Sequence, residues 1–179
     1  MFRYSPRPLH GWRRMLLRLF GAKLHASARV YPRAKVWAPW NLEMDALATV
    51  ADDVDVYAVD RIVLGRRAIV SQYSFLCGAG HDFEDPRRPL VPEPIVIGAG
   101  TWIAADVYVA PGVTIGEHSV VGARSSVFSD LPGGMVCVGS PAKPVRPVKR
   151  AAAAVDDADG AAAGTAEDDA SRGAGNAAE

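Results

Sequence analysis

The side chains best suited to chemistry lie together in one short stretch, LCGAGHDFEDPRRPL, which spans residues 76–90. His81 stands near its centre and is followed by the carboxylates Asp82, Glu84 and Asp85. An imidazole accepts and donates protons near neutral pH, which makes His81 a candidate general base. The acids beside it could orient the imidazole, hydrogen-bond a polar substrate or hold a metal ion. The stretch therefore predicts a site of proton transfer.

The chain on both sides of this stretch repeats with a period of six residues. Leu64, Val70 and Leu76 precede it at that spacing, and the same spacing connects the later aliphatic residues Ile97, Ile103, Val109, Ile115, Val121 and Val127. A period of six fits short strands joined by tight bends, with each hexapeptide forming one flat side of a coil. The first residue of each hexapeptide then points inward, and successive coils pair in parallel about 4.8 Å apart. The pattern predicts an all-β solenoid whose coils stabilise one another.

The count of six is interrupted in two ways. Around Met44, Val50 and Val56 the phase slips by two residues, which predicts loops or bulges at corners of the coil. Between Leu76 and Ile97 lie twenty residues, more than a corner needs. Long loops on a repeat scaffold often carry function, so we predict an inserted loop at residues 77–96. The solenoid is expected over residues 26–148, after an N-terminal helical segment at residues 1–25.

Charge is distributed unevenly along the chain. Residues 151–179 carry seven acidic residues and one basic residue among many alanines and glycines, so we expect residues 149–179 to be disordered. The first 150 residues carry 19 basic and 13 acidic side chains. That excess favours an anionic partner such as a phosphorylated cofactor, but it is too small to indicate nucleic acid.

Two features bear on the location of the protein. Cys77 and Cys137 are the only cysteines, and without a secretory signal pattern they predict reduced thiols in a cytoplasmic protein. Near the N-terminus, apolar residues at helical spacing alternate with arginines in RPLHGWRRMLLRLFGAKL, and no run approaches the length of a membrane span. Such a helix packs on its own domain or a neighbouring subunit, or it lies on an anionic membrane surface. The last alternative would place the protein at the inner face of the membrane.

The final coils resemble the hexapeptide-repeat acyltransferases of the sugar O-acetyltransferase branch, and the matching residues 97–145 are IGAGTWIAADVYVAPGVTIGEHSVVGARSSVFSDLPGGMVCVGSPAKPV. Three stretches, RLFGAKL, VWAPWNLEM and VSQYSFLC…HDF, are similar to the acetyltransferases assigned to colanic acid biosynthesis in exopolysaccharide clusters. The resemblance implies a left-handed parallel β-helix, an exception to the usual right-handed crossover. It also implies homotrimers that bind acetyl-CoA between adjacent subunits and transfer its acetyl group to a saccharide hydroxyl.

The resemblance assigns roles to individual residues. His81 matches the catalytic histidine of the family and would take the proton of the saccharide hydroxyl as the hydroxyl attacks the thioester. Asp82 or Asp85 would orient the imidazole or hydrogen-bond the sugar. Tyr57 and Asp60 lie where related enzymes contact the acceptor, although an asparagine common at that place is absent. The residues expected to bind acetyl-CoA are Trp102, Ala104, Ala105, Gly122, Ala123, Arg124 and Lys143.

Two other functions stay open on the sequence. A γ-type carbonic anhydrase shares this fold but needs three histidine ligands for zinc. The chain lacks closely spaced histidines on one coil, so we predict no metal ligands. A non-enzymatic β-helix used for binding or assembly would explain the hexapeptides, but it would not explain a histidine within a long, proline-stiffened insertion.

Overall fold

The computed structural model describes residues 2–149, so the tail predicted at residues 149–179 lies, except for Lys149, outside the described residues. An α-helix, α1 (His10–Leu19), and a 3₁₀ turn (Pro39–Asn41) accompany short strands. The strands are β1 Lys23–Leu24, β2 Arg29–Val30, β3 Lys35–Trp37, β4 Leu42–Met44, β5 Thr49–Val50, β6 Asp55–Tyr57, β7 Ile62–Leu64, β8 Ile69–Val70, β9 Phe75–Cys77, β10 Ala79–His81, β11 Leu90–Pro92, β12 Ile95–Ile97, β13 Trp102–Ile103, β14 Tyr108–Val109, β15 Thr114–Ile115, β16 Val120–Val121, β17 Ser126–Val127, β18 Met135–Gly139 and β19 Ala142–Pro147.

Three sheets of parallel strands form the walls of a β-helix. Sheet I contains β1, β4, β7, β12 and β15, and sheet III contains β3, β6, β9, β14 and β17. Sheet II contains β2, β5, β8, β13, β16 and β18, with β19 antiparallel to β18 at its end. Because the chain passes from sheet I to II to III and then returns to I, each circuit is one coil. This architecture confirms the predicted all-β solenoid.

The first residues of the hexapeptides form the core, as the repeat predicts. Equivalent residues stack in columns, for example Leu24, Met44, Leu64, Ile97 and Ile115 in sheet I, where each pairs with the next across neighbouring strands. These residues are almost completely buried. Each such side chain contributes roughly 1.5–3 kcal/mol by leaving water. The hydrophobic columns therefore stabilise the stack of coils from one end of the three-sided β-helix (the prism) to the other.

The phase slips occur at one edge of the prism. Strand β3 ends at Trp37 and β4 begins at Leu42, and the next coil makes the same passage between Tyr57 and Ile62. The long insertion, between Cys77 and Ile95, follows on the third coil at the same edge. The predicted corner loops are thus confirmed, and all three extensions lie where the chain returns from sheet III to sheet I (edge III–I).

The later coils require glycine at the edge between sheets I and II, because successive coils approach closely there. A Cβ at Gly65 or Gly98 would lie 2.7 or 2.6 Å from the backbone nitrogen of the next coil. A Cβ at Gly116 would collide with the backbone nitrogen of Gly133. Real Cβ atoms do not come so near to backbone. The glycine in the second place of these three hexapeptides is therefore required by the spacing between coils.

Helix α1 closes the open end of the first coil. The carbonyl of an inward residue accepts from an N–H of the preceding coil, as the Val50 carbonyl does from Tyr31, so the corresponding carbonyls of the first coil have no preceding coil to supply a donor. Arginines of the helix supply those donors: Arg13 Nε lies 2.6 Å from the carbonyl oxygen of Val30, and Arg14 and Arg18 donate to the carbonyls of Ala28 and Leu24. The helix thus packs on its own domain. No helix within residues 2–149 is long and apolar enough to cross a membrane.

We expect Gly116→Ala to lower the free energy of unfolding by about 2–3 kcal/mol, since the new methyl must displace backbone of the adjacent coil. Gly11→Ala is the matched control, because its Cβ meets no atom closer than 3.7 Å and alanine favours a helix. Urea unfolding of both variants measures the difference. Equal stabilities for the two variants would contradict the close approach of coils at Gly116.

Candidate active site

The predicted inserted loop contains a β-hairpin that projects from edge III–I. Strands β10 and β11 pair antiparallel, with His81 opposite Leu90 and the tip at residues 82–89. The base of the hairpin is held by the coil below, because Gly78 N–H donates to the Tyr57 carbonyl at 2.9 Å. A Cβ at Gly78 would lie 2.6 Å from that same oxygen, so only glycine permits the contact. The insertion is therefore an ordered support for His81.

The His81 ring is held in one tautomer. Its Nδ1 lies 2.7 Å from the carbonyl oxygen of Arg88 across the hairpin. A carbonyl can only accept a hydrogen bond, so Nδ1 carries the proton and the neutral ring keeps its lone pair on Nε2. The side chain is exposed, which leaves Nε2 open to a partner from outside the chain. This geometry suits a general base that accepts a proton at Nε2.

The two carboxylates predicted beside His81 make contacts within the hairpin tip. Asp82 Oδ1 accepts from the N–H groups of Glu84 and Asp85, at 2.9 and 3.3 Å, and so shapes the turn. Asp85 pairs with Arg87, whose guanidinium lies 2.8 Å from Oδ2. Hydrogen bonds from the Arg87 side chain and backbone hold the pKa of Asp85 below its usual value. The ring nitrogen Nδ1 is thus oriented by a backbone carbonyl, and both carboxylates are engaged elsewhere.

Arg88 is a residue of the candidate site that the sequence did not indicate. It has a φ of +46°, in the left-handed region, and it precedes Pro89, a position that normally favours extended backbone. This conformation accompanies the carbonyl contact with His81 Nδ1. The residue acts through its backbone, so its side-chain type carries no signal of the role. Pro89 indicates a turn in the sequence, but it does not indicate that the Arg88 carbonyl contacts His81.

Tyr57 and Asp60 lie on the coil beneath the hairpin base. A Cβ at Gly78 would be 3.5 Å from the Asp60 backbone nitrogen, which shows how near Asp60 is to the start of the insertion. Tyr57 belongs to a row of aromatic rings along the outer face of sheet III: Trp37, Tyr57, Phe75, Tyr108 and Phe128, with consecutive ring centroids 5.6–6.4 Å apart. The structure thus brings both residues to the same edge as His81.

One thiol belongs to the packing at the base of the hairpin. Cys77 Sγ donates to the Ala79 carbonyl at 3.1 Å, which supports a structural role for this cysteine.

Burial, together with a hydrogen bond to Cys77, raises the pKa of Tyr108 to about 12. Tyr108 therefore stays neutral at physiological pH and cannot serve there as a base. Within residues 2–149, no three His, Cys, Asp or Glu side chains are grouped so as to hold a metal ion.

The residues predicted to bind acetyl-CoA, the acetyl donor, lie together at the edge between sheets II and III (edge II–III). Ala104 and Ala105 form the turn of one coil, and Gly122, Ala123 and Arg124 form the turn of the next. The two turns are in contact, since the Arg124 N–H donates to the Ala105 carbonyl at 3.0 Å. Apart from Arg124, none of these residues carries a side chain larger than a methyl group. The structure therefore brings these five residues together in one narrow strip, which we call the donor strip.

Trp102 and Lys143 lie on sheet II beside that strip. The Trp102 indole N–H donates to Ser71 Oγ at 2.9 Å, which fixes the exposed ring. Lys143 is exposed on β19, the antiparallel strand that follows β18 at the end of the prism. Its ammonium is thus available to an anionic group beyond the last coil. With these two residues, the strip extends from the middle of the prism to its C-terminal end.

Within one chain, His81 and the donor strip lie on different edges. The wall of sheet III separates them, and the five residue steps from Ala105 to Ala110 span at most roughly 16 Å. No hydrogen bond or ion pair among residues 2–149 joins the hairpin tip to edge II–III. A general base needs its proton partner at about 3 Å. Within one chain, the residues predicted to bind acetyl-CoA therefore lie beyond hydrogen-bonding reach of His81.

Comparison with known proteins gives a consistent family. The family model for bacterial transferase hexapeptide (six repeats) matches residues 94–129. The chain is 47% identical over 146 residues to the Escherichia coli K12 protein named "Putative colanic acid biosynthesis acetyltransferase WcaF", covering 82% of this chain and 80% of that protein. It is 30% identical over 132 residues to the galactoside O-acetyltransferase of the same organism, covering 72% of this chain and 56% of that protein.

A solved structure supports the same relationship. The hexapeptide-repeat acetyltransferase of Vibrio cholerae O1 biovar eltor, in complex with acetyl coenzyme A, superposes with a TM-score of 0.74. The two chains are 28% identical, and the match covers 83% of this chain and 82% of the other. The fold is the left-handed parallel β-helix of these acetyltransferases, which confirms the predicted hand.

We expect nuclear magnetic resonance of the ¹⁵N-labelled protein to show His81 as the Nδ1–H tautomer in its neutral state, because the Arg88 carbonyl can only accept. A long-range ¹H–¹⁵N correlation spectrum, assigned by loss of the signal in His81→Gln, makes the measurement. A neutral ring with its proton on Nε2 would contradict the proposed orientation.

Proposed function

The chain belongs to the bacterial hexapeptide-repeat transferase family, and on that premise we propose that it is an O-acetyltransferase. It moves an acetyl group from acetyl-CoA to a hydroxyl of a saccharide, in exopolysaccharide biosynthesis of the colanic acid type. The similarity to the named relatives supports the reaction class. The single structural observation that carries the proposal is the exposed His81 ring, with its proton on Nδ1 and its lone pair on Nε2.

The reaction needs one proton carrier. His81 Nε2 accepts the proton of the saccharide hydroxyl while the hydroxyl oxygen attacks the carbonyl carbon of the thioester. The negative charge that develops on the carbonyl oxygen is stabilised by a backbone N–H on the edge of a coil. When the tetrahedral intermediate collapses, the carbon–sulfur bond breaks and the departing thiolate takes the proton from Nε2. The products are the acetyl ester and free CoA, and the neutral imidazole is restored.

Acetyl-CoA lies along edge II–III in this proposal. Ala104, Ala105, Gly122 and Ala123 present small side chains, so the pantetheine arm can approach the backbone and hydrogen-bond to it. Trp102 offers an exposed ring near the thioester, while Arg124 continues the strip on the next coil. Lys143, at the far end, suits the phosphates by its charge. The strip is long and narrow, like the donor.

The saccharide occupies the space beside the hairpin. Tyr57 offers an aromatic ring and Asp60 a carboxylate on the coil below His81. The carboxyl oxygens of Asp82 and Asp85 can accept hydrogen bonds from sugar hydroxyls with the lone pairs that the tip turn does not use. These four residues are therefore the proposed acceptor contacts, and the acceptor hydroxyl itself must reach Nε2 of His81.

The active enzyme is a homotrimer in this proposal, with each site shared by two subunits. The separation of His81 from the donor strip within one chain supports a site completed by a neighbour. Closed cyclic symmetry then repeats the same hairpin-to-strip contact three times. The exposed aromatic face of sheet III lies between the two edges and is suited to the contact between subunits.

The proposed location is the cytoplasm, at the inner face of the membrane. Acetyl-CoA is the co-substrate, and helix α1 is the point of membrane contact. The arginines and exposed apolar residues of that helix support this placement. Neither nucleic acid nor a resident cofactor has a role in the proposal.

We expect His81→Ala to lower kcat/KM for acetyl transfer by about 10²–10⁴-fold, because the base is lost. The Kd for acetyl-CoA should stay unchanged, since the donor strip lies elsewhere. His25→Gln, which changes an exposed histidine on the first coil, is the matched control and should retain activity. A panel of nucleotide- and lipid-linked sugars with radiolabelled acetyl-CoA makes the measurement.

Two results would overturn this proposal. Activity of His81→Ala within a few-fold of the wild type would remove His81 as the base. A wild-type chain that neither binds CoA nor acetylates any saccharide in the panel would favour a non-enzymatic binding or assembly module.

A further inference from the structure

Helix α1 is inverted relative to an ordinary surface helix. Its apolar residues Trp12, Met15 and Leu19 are 38%, 46% and 79% exposed, while Arg13 on the opposite side is completely buried. A helix that packs on a domain normally turns its apolar stripe inward and its charged residues outward. Here Arg13 and Leu17 face the protein, and the apolar stripe of Trp12, Met15 and Leu19 faces away from it.

The carbonyls of the first coil fix this inverted orientation. Arg13, Arg14 and Arg18 donate to the carbonyl oxygens of Val30, Ala28 and Leu24, which receive no donor from a preceding coil. Turning the apolar stripe inward would leave those carbonyls unsatisfied. A buried carbonyl without a partner has lost its hydrogen bonds to water, and this loss costs more free energy than an ordinary hydrogen bond contributes. The outward apolar stripe is therefore a stable property of the fold.

More apolar surface continues from the end of the helix. Phe20 is 63% exposed, and Trp40 on the neighbouring corner is 61% exposed. Gly21 places the helix end directly against Trp40, since a Cβ on Gly21 would lie 2.9 Å from the Cβ of Trp40. We call the surface formed by Trp12, Met15, Leu19, Phe20 and Trp40 the N-terminal face. It carries three aromatic rings, which favour the boundary between lipid and water.

The N-terminal face is surrounded by positive charge. The first 42 residues contain nine lysines and arginines and no aspartate or glutamate. Four of the nine pair with carboxylates further along the chain. The other five form no ion pair within residues 2–149, and they are Arg3, Arg13, Arg14, Arg18 and Arg29. Because the helix arginines bind neutral carbonyls, their charge is not cancelled.

An open cavity adjoins this face at the end of the helix. It measures about 480 Å³ and is lined in part by Arg18, Lys23 and His25, with Asp45 as an acidic residue on its wall. Leu19 and Phe20 directly follow Arg18 in the chain. Basic groups beside exposed apolar groups suit a molecule that is anionic at one end and apolar at the other.

We propose that the N-terminal face docks on a bilayer that contains anionic phospholipids. The apolar residues enter the boundary between headgroups and acyl chains, and the exposed arginines Arg3, Arg18 and Arg29 contact the anionic headgroups. The excess positive charge selects an anionic surface, and the rings and aliphatic chains select one with an accessible apolar layer. This inference deepens the membrane contact in the proposed function, and it does not depend on acetyl transfer.

Docking in this way leaves the active-site hairpin in the aqueous phase. Trp40 lies at edge III–I on the first coil, and the hairpin leaves the same edge on the third coil. Two coil spacings correspond to about 10 Å along the prism. His81 therefore stands above the lipid surface on the same edge as Trp40, where a water-soluble donor can reach it.

Vesicle sedimentation with the full chain tests the proposal. Vesicles of phosphatidylcholine with roughly one quarter phosphatidylglycerol should bind the protein, and vesicles of phosphatidylcholine alone should bind at least tenfold less. Binding should weaken as salt rises, because screening reduces the electrostatic attraction. Arg29→Gln should weaken binding about fivefold, as expected for one basic residue near an anionic surface.

The apolar contribution is tested by the double variant Met15→Glu/Leu19→Glu, which should lower binding at least tenfold. Val96→Glu is the matched control, because Val96 is an exposed apolar residue on sheet I, away from helix α1. Circular dichroism checks that both variants are folded. The double variant should acetylate a soluble acceptor as the wild type does, and His81→Ala should still bind vesicles.

Three outcomes would overturn the proposal. One is absence of binding to anionic vesicles by the folded wild type. Another is binding that is the same with and without phosphatidylglycerol. The third is a change of oligomeric mass in the double variant with lipid binding retained, which would assign the face to a contact between subunits.

Discussion

Parallel backbone pairing between successive coils is the constraint on which the rest of this structure depends. Each coil must place its inward residues directly above those of the preceding coil, as Leu64, Ile97 and Ile115 do in sheet I. The pairing also brings the corners so close that glycine is required at positions such as Gly98. Within these limits the walls cannot vary, so variation in chain length is confined to edges where the chain can leave the prism and return in register.

Edge III–I is where this chain uses that freedom. The additions grow from short corner extensions on the first two coils to a hairpin on the third, and the hairpin is clamped at Gly78 by the corner beneath it. His81 thereby stands on a paired strand, and the Arg88 carbonyl sets its tautomer. The same pairing rule leaves the carbonyls of Leu24, Ala28 and Val30 on the first coil without donors from a preceding coil, and the arginines of helix α1 supply them. Both the site and the inverted helix thus follow from one constraint.

Much of this arrangement could be predicted from the sequence. The spacing of Ile97, Ile103 and Val109 predicts the solenoid, because every sixth side chain is buried in the core. The phase slips in that spacing predict the corner loops. The hairpin could not be derived in the same way, since its glycines and prolines indicate turns as readily as strands. The contact of Arg88 with His81 is made by the backbone carbonyl, so the side-chain type at residue 88 does not indicate it. The inward direction of Arg13 could not be predicted either, because the carbonyls that it binds lie side by side only after the first coil has formed. The predicted roles of Asp82, Asp85 and the donor strip stay predictions.

The central claim is that His81 of one subunit serves the donor strip of another, and subunit complementation tests it most directly. His81→Ala lacks the base, and Ala105→Trp blocks the donor strip, so each homotrimer should be inactive. If sites are shared, trimers assembled from an equal mixture of the two chains regain about a quarter of wild-type activity, because one adjacent pairing in four joins an intact hairpin to an intact strip. No recovered activity in trimers shown to contain both chains would contradict the account.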